Sequence, residues 1–416
     1  MKSFKSYINE AAKAGKNTHM QHAEDAVLYG GVNGIRQVIN ALRAMRNMLA
    51  GHSTTSTDVT VKWDGAPAVF AGIDPTDGQF FVAKKGIFNK EPKVYKSVED
   101  VKADTSGDLQ EKLIIAYQEL SKLGIKGVVQ GDIMFTKGDL KSENIEGEKF
   151  VVFHPNTIAY AVPANSDEAK IIKQAKIGVV WHTEYKGSSF ETMQASYGVD
   201  ITKFKKVSSV WSETATVRDL SGKATMTKAD TEYVTKMLSR AGKIFNKISS
   251  TTIKELENNQ QLAGLIETFN NSFVRKGEKV TNTEAHVKNL INWIHDRYAK
   301  EKEKRKSVAG KQKVKEKEDE ILKFFSPSNT KSLKLMFDLQ FALVEAKEYI
   351  IDQLEKTKKI DTFLLTKNGF KTTGSEGYVA IDKLNSGAYK LVKRMEFSRA
   401  NFSNDTIKGW DSAARG

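Results

Sequence analysis

Two periods of hydrophobic and polar residues divide this chain. From Asp58 to about Tyr185, short apolar runs suited to strands fall at 58–63, 67–73, 79–84, 127–135, 148–153 and 177–184, and helical patterns fall at 108–122 and 166–174. Asp77-Gly78 between two such runs predicts a hairpin, and 206–217 predicts a further strand. After roughly residue 225 the period lengthens to that of helices, with few Gly or Pro, and holds to about 356. Its clearest member sets Leu333, Met336, Leu339, Leu343 and Ile350 on one helix. Strand character returns at 362–366, 378–381 and 389–392. Upstream, 18–50 reads as helix, with Ile35, Val38, Ile39, Leu42, Met45 and Leu49 at helical spacing and Gly30, Gly31 and Gly34 as punctuation. The pattern predicts an α+β protein whose strand-rich core is interrupted by a helical insertion and closed by the final strands. The expected segments are 1–15 (a basic amphipathic peptide), 16–57 (helical), 58–220 (core, first part), 221–358 (Lys-rich helical insertion) and 359–416 (core, second part).

Composition narrows the chemistry. The 416 residues hold 65 Lys and Arg against 51 Asp and Glu, a net charge of +14. That excess favours a polyanionic partner, chiefly nucleic acid, or else serves as a solubilising surface. There is no cysteine, which excludes disulfides, thiolate metal sites and cysteine nucleophiles. No apolar run approaches the roughly 20 residues of a membrane span, so no membrane partner is expected. His19 and His22, three apart beside Glu24 and Asp25, are either structural or part of a metal site. The almost wholly charged run 301–320 is either a solvated helix or a flexible connection.

The most telling local feature is Lys62-Trp63-Asp64-Gly65, set between the strand runs 58–63 and 67–73. A lysine held there is either exposed beside an Asp-Gly turn or a nucleophile able to attack the α-phosphate of a nucleoside triphosphate. At a reference pKa of about 10.4 the amine is almost wholly protonated near neutrality, so a working site must lower that value.

The order of short motifs that follows resembles the covalent nucleotidyltransferase superfamily of ATP-dependent RNA and DNA ligases and mRNA capping enzymes. Lys62-Trp63-Asp64-Gly65 matches the family's Lys-x-Asp-Gly. Phe81-Val82-Ala83-Lys84-Lys85-Gly86 matches its basic pair near a glycine, and Gly131-Asp132 its Gly-acidic strand. Glu376-Gly377-Tyr378-Val379 matches its Glu-Gly-aliphatic motif, and Tyr389-Lys390-Leu391-Val392-Lys393 its last, lysine-bearing strand. For the strand whose aromatic packs on the base, two candidates stand open: Phe153 in 149–153 and Trp181 in 178–182. The resemblance covers about 58–185 and 362–395.

It implies a ligase-type core of antiparallel sheets flanked by helices, with ATP and magnesium as cofactors. Lys62 would become adenylylated, with Lys390 and Lys393 stabilising the transition state and depressing the pKa of Lys62. Asp64, Gly65, Lys85, Asp132 and either Phe153 or Trp181 would bind the nucleotide, Glu376 and Asp132 the metal, and Lys84 and Lys85 the nucleic acid. The implied function is polynucleotide ligation, RNA first, through AMP transfer to a 5′-phosphate end. The alternative is a non-catalytic, basic phage head protein that binds packaged DNA on a degenerate ligase fold.

Several departures qualify the match. Ala66 stands where RNA ligases often carry Ser or Thr, Lys85 where Arg is usual and Asp132 where Glu is usual. About twenty residues follow Lys393, too few for the oligonucleotide-binding barrel of DNA ligases. The start of the chain, with Phe4, Tyr7, Ile8 and Ala11 on one face and Ile8-Asn9-Glu10 before Ala11, resembles the capsid-targeting peptides of internal head proteins in T-even-type phages. That likeness implies a phage protein of the host cytoplasm, or one packaged in the virion head against the capsid interior or scaffold.

Overall fold

A computed structural model describes residues 21–51, 57–217, 225–356, 360–382, 388–398, 400 and 405–409. The amphipathic peptide and His19 lie outside the described residues. The fold is mixed α+β, with antiparallel sheets and a large helical body.

The strands are β1 (Thr57–Lys62), β2 (Ala68–Ile73), β3 (Phe80–Ala83), β4 (Val128–Thr136), β5 (Lys141–Ile145), β6 (Glu148–Phe153), β7 (Ile158–Pro163), β8 (Ile177–Lys186), β9 (Gln194–Tyr197), β10 (Val210–Thr214), β11 (Thr216–Val217), β12 (Asp361–Thr366), β13 (Gly369–Thr372), β14 (Gly377–Asp382) and β15 (Ala388–Leu391). They form three sheets. The first runs β11-β1-β14-β15, the second β10-β8-β4-β2-β3 with β9 on β8, and the third β13-β12-β7-β6-β5. Only β8 and β10 pair in parallel among the described strands. The final strands therefore complete two different sheets: β14 pairs β1, and β12 pairs β7.

The longer helices are α1 (Gly31–Leu49), α2 (Gly107–Leu120), α3 (Asp167–Gln174), α4 (Lys228–Phe245), α5 (Ser250–Asn258), α6 (Gln260–Lys276), α7 (Thr283–Glu303), α8 (Val308–Leu322) and α9 (Pro327–Glu355). Their starts follow from sequence. Thr227 and Asp230 form a reciprocal capping box on α4, and Ser326 caps α9 with Pro327 in its first turn. The charged run is a pair of helices, α7 and α8, laced by Arg305–Glu301 at 3.0 Å and His295–Glu318 at 2.7 Å.

Expected as separate, the N-terminal helix and the helical insertion share one core. Ile35, Leu42 and Met45 of α1 pack with Leu238 of α4, Ile266 of α6, and Met336 and Leu343 of α9. Val59, Tyr378, Ala380, Tyr389 and Leu391 join that core from one face of the first sheet. Strand alternation turns Thr60, Lys62, Val379 and Lys390 to the opposite face, where a cleft opens. Buried charges hold this body together at one point. Lys347, almost fully buried, donates to both carboxylate oxygens of Glu24 at 2.9 and 2.8 Å, and Arg394 lies 3.4 Å from Asp25.

Candidate functional site

The Lys-x-Asp-Gly turn is built for close approach. A Cβ on Gly65 would sit 2.5 Å from the Asp132 Cβ and 2.8 Å from the Met134 sulfur, so only glycine lets the turn lie on β4. Ala66 N–H donates to the Ile133 carbonyl, and Ile133 N–H to the Pro67 carbonyl, each at 3.0 Å. A Cβ on Gly377 would meet the Leu391 carbonyl at 2.5 Å, which explains the glycine after Glu376 where β14 runs beside β15.

Register carries the distant motifs together. Lys62 lies opposite Gly377, and Val379 opposite Lys390. Lys62 donates directly to Glu376, 314 positions away in sequence. Lys62, Val379 and Lys390 face a cavity of about 140 Å³ between the first two sheets. Thr60, Lys62 and Trp63 wall it on one side, with Val379 and Lys390, and Asp132, Val180, His182 and Tyr197 wall it on the other. Lys62, Asp132 and Lys390 thus share one cavity, with Glu376 on Lys62. Lys85 is exposed, and its charge reaches Asp132.

The electrostatics of the cleft are governed by three carboxylates. Burial pushes Glu376 up to about 7; Lys62 opposes the shift and Asp64 and Asp132 add to it. Burial also raises Asp132, which His182 and Lys62 only partly offset. For Lys62 burial works downward, but Glu376 and the two aspartates outweigh it and hold the ammonium above its ordinary value. Lys390 is lowered by burial and then by Lys62. His182 is lowered by burial against the pull of Asp132, whose Oδ2 lies 3.8 Å from its Nε2. This corrects the expectation that neighbouring lysines depress Lys62: the carboxylates outweigh them.

Other expected site residues fall elsewhere. Lys393 pairs with Asp352 of α9 and lines a second cavity, away from Lys62. Lys84 lies 3.2 Å from Asp104 and over the Tyr95 ring, so its charge is already matched. The Asp64 carboxylate is committed to the turn between β6 and β7. It accepts from Thr157 N–H at 2.7 Å, Ile158 N–H at 2.9 Å and the Asn156 amide at 2.9 Å. Phe153 and Trp181 are both fully enclosed. Phe153 stacks on Tyr160, and Trp181 points into the core under α2 and donates to Ser212 at 3.3 Å, so neither offers a ring face to the cleft. The aromatics that do line it are Trp63 and Tyr197, and His182 is an unforeseen polar member. Alternation along β8 signals His182: with Trp181 turned to the core, its successor faces the other way.

Among the described residues no group of three or more His, Asp or Glu side chains is gathered to hold a metal. Glu376 and Asp132 supply two carboxylates, which fits a magnesium ion carried mainly by substrate phosphates and water, and no more than that. His22 is half-buried, with its Nδ1 enclosed and unpartnered, beside the Glu24–Arg394 cluster; desolvation lowers its pKa to about 3.

Searches of curated proteins and of solved structures returned no match to this chain. One family model spans residues 17–406, and so takes in the lysine turn, the helical body and the closing strands alike: the chain belongs to the Family of unknown function (DUF6267).

Proposed function

We propose that the protein is an ATP-dependent nucleotidyltransferase that forms a covalent lysyl-AMP at Lys62 and, on the family likeness, passes the adenylyl group to a 5′-phosphate end of a polynucleotide, RNA first. One observation carries the reading. Lys62, Asp132, Glu376 and Lys390, drawn from four separated stretches of sequence, meet at a single cleft.

The chemistry follows from those positions. Lys62 must lose a proton before it attacks, and its direct partner Glu376, titrating near 7, is the group placed to accept it. The neutral amine forms the Nζ–Pα bond as the bridging Pα–O bond to the β-phosphate breaks, and pyrophosphate leaves with that electron pair and takes up the second proton that nitrogen sheds. The Lys390 ammonium faces the same cavity and stabilises charge on the α-phosphate oxygens. Magnesium would neutralise the triphosphate, with Asp132 as the carboxylate left to hold it once Glu376 has taken the proton.

The test is incubation with α-labelled ATP and magnesium, followed by a denaturing gel. Label that survives denaturation and alkali, is released by acid as a P–N bond should be, and vanishes in Lys62→Ala is the expected result. Label unchanged in Lys62→Ala, or no label from any nucleoside triphosphate, overturns the reading.

A further inference from the structure

The basic residues of the helical body are not spread evenly. Residues 26–57 contain no Asp or Glu, and neither do residues 233–254, in a chain that carries 51 acids in 416 residues. The two acid-free stretches meet in space. Thr225 and Met226 N–H groups donate to the Leu49 carbonyl, Arg46 donates to the Thr235 hydroxyl at 2.9 Å, and Arg43 reaches Gly242. As residue numbers fall along α1 they rise along α4, so the helices run antiparallel and their cations line one seam. Arg36 and Arg43 of α1 and Lys236, Lys243 and Lys247 along and just beyond α4 are exposed.

Among the described residues, the hydrogen-bond partners of Arg43 and Arg46 are neutral. Arg43 donates to Asn40 at 3.4 Å, and Arg46 donates to Asn47 at 3.1 and 2.8 Å. Burial, and after it the Arg43 guanidinium, pull Arg46 below its ordinary value. Arg240 on α4 faces Glu345 of α9 at 3.4 Å, an exposed pair at the margin. On α7 and just beyond it, by contrast, Lys288 pairs with Glu284 and Arg305 with Glu301. This seam also lies on the helical side of the first sheet, across it from the cleft.

We propose that the α1–α4 seam is a docking surface for the phosphate backbone of nucleic acid, separate from the Lys62 cleft. Arg36 to Arg46 spans about 15 Å at about 1.5 Å per residue, a length over which a duplex presents about nine phosphates. Guanidinium groups with only amide and hydroxyl neighbours keep donors free for phosphate oxygens. Along residues 31–49 and 233–247 no acid repels a polyanion; Asp230 and Glu232 stand in the first turns of α4, at one end of the seam.

The experiment measures fluorescence anisotropy with labelled RNA and duplex DNA of about 20 nucleotides across a salt series. It compares the full chain with the triple variant Arg36→Gln/Arg43→Gln/Lys243→Gln. A control triple, Lys170→Gln/Lys203→Gln/Lys288→Gln, removes the same charge from exposed lysines already paired with acids. Binding by the seam predicts at least about a tenfold loss and a salt slope shallower by about two to three for the seam variant, with the control near wild type. Equal losses in the two triples, no loss in the seam variant, no nucleic-acid binding by the wild type, or binding only to phosphatidylserine vesicles each overturns it. Self-adenylylation assayed on the same variants reads the Lys62 proposal separately, since the seam variant keeps the cleft intact.

Discussion

Replacing Asp64 separates two tasks that the Lys-x-Asp-Gly motif confuses, binding a nucleotide and building the turn. In Asp64→Ala the Oδ2 atom that accepts from both Thr157 N–H and Ile158 N–H disappears. Those two residues are 1% and 0% exposed, so water cannot replace it. Each stranded buried amide costs about 1–3 kcal/mol. The Asn156 amide, on a half-buried residue, can turn outward at little cost. The expected destabilisation is therefore about 2–6 kcal/mol, a large share of a typical folding free energy of about 5–15 kcal/mol. Asp64→Asn keeps one carbonyl oxygen for the two backbone amides, and Asn156 can flip to present its own oxygen. It should cost only about 1 kcal/mol, the value of the lost charge assistance. Urea unfolding reads both variants, and hydrogen exchange at Thr157 and Ile158 localises the effect. If Asp64→Ala unfolds within about 0.5 kcal/mol of wild type and those amides stay protected, the anchoring role is wrong and the carboxylate belongs to ligand binding.

Gly65→Ala should cost about 1–3 kcal/mol by overpacking against Asp132 and Met134 and should reduce self-labelling as Asp132 is pushed aside, read by urea unfolding and the gel assay. Lys347→Met should cost about 3–5 kcal/mol, because it leaves the Glu24 carboxylate buried with Arg394 at 3.7 Å as its nearest remaining cation; an unchanged unfolding midpoint would show that Glu24 is not held by Lys347. Asp25 is raised to about 7 by burial and by Glu24. Its folded value exceeds its unfolded one, so the stability it contributes is complete below about pH 4 and lost as pH rises through 7. Asp25→Asn should therefore gain stability relative to wild type between pH 5 and pH 8, and a difference in unfolding midpoint that stays flat across that range would refute it. In Glu376→Gln, loss of the carboxylate should lower the Lys62 pKa, and lysine reactivity toward an amine-selective reagent at pH 8 should rise at that residue; no rise would mean Glu376 does not hold the ammonium.

Much of this was legible in the chain, for reasons that differ by element. The runs at 67–73 and 127–135 appear almost unshifted as β2 and β4, because burial on both faces leaves short, nearly continuous apolar runs, and the apolar stripe from Leu333 appears within α9. Strand β7, Ile158-Ala159-Tyr160-Ala161-Val162, is as buried as β2 and was nonetheless missed; β9 left no signal because all four of its residues are exposed. The motif order found the cleft residues Lys62, Asp132, Glu376 and Lys390. It could not tell which aromatic faces the cavity, because Phe153 and Trp181 differ from Trp63 and Tyr197 only in where tertiary packing turns them. Nor could it see that Lys393, three residues past Lys390, leaves the strand and is captured by Asp352.

The register of β1 has a consequence for how the chain assembles. Its partner β14 is made more than three hundred residues later, and until then one long edge of β1 has open backbone donors and acceptors. Contacts that distant form slowly, because a large loop must close first. The pairing that shields this edge is the same one that brings Glu376 to Lys62. A partly synthesised chain therefore holds the lysine without its partner and carries an exposed strand edge, so chaperone engagement should be greatest just before β14 emerges.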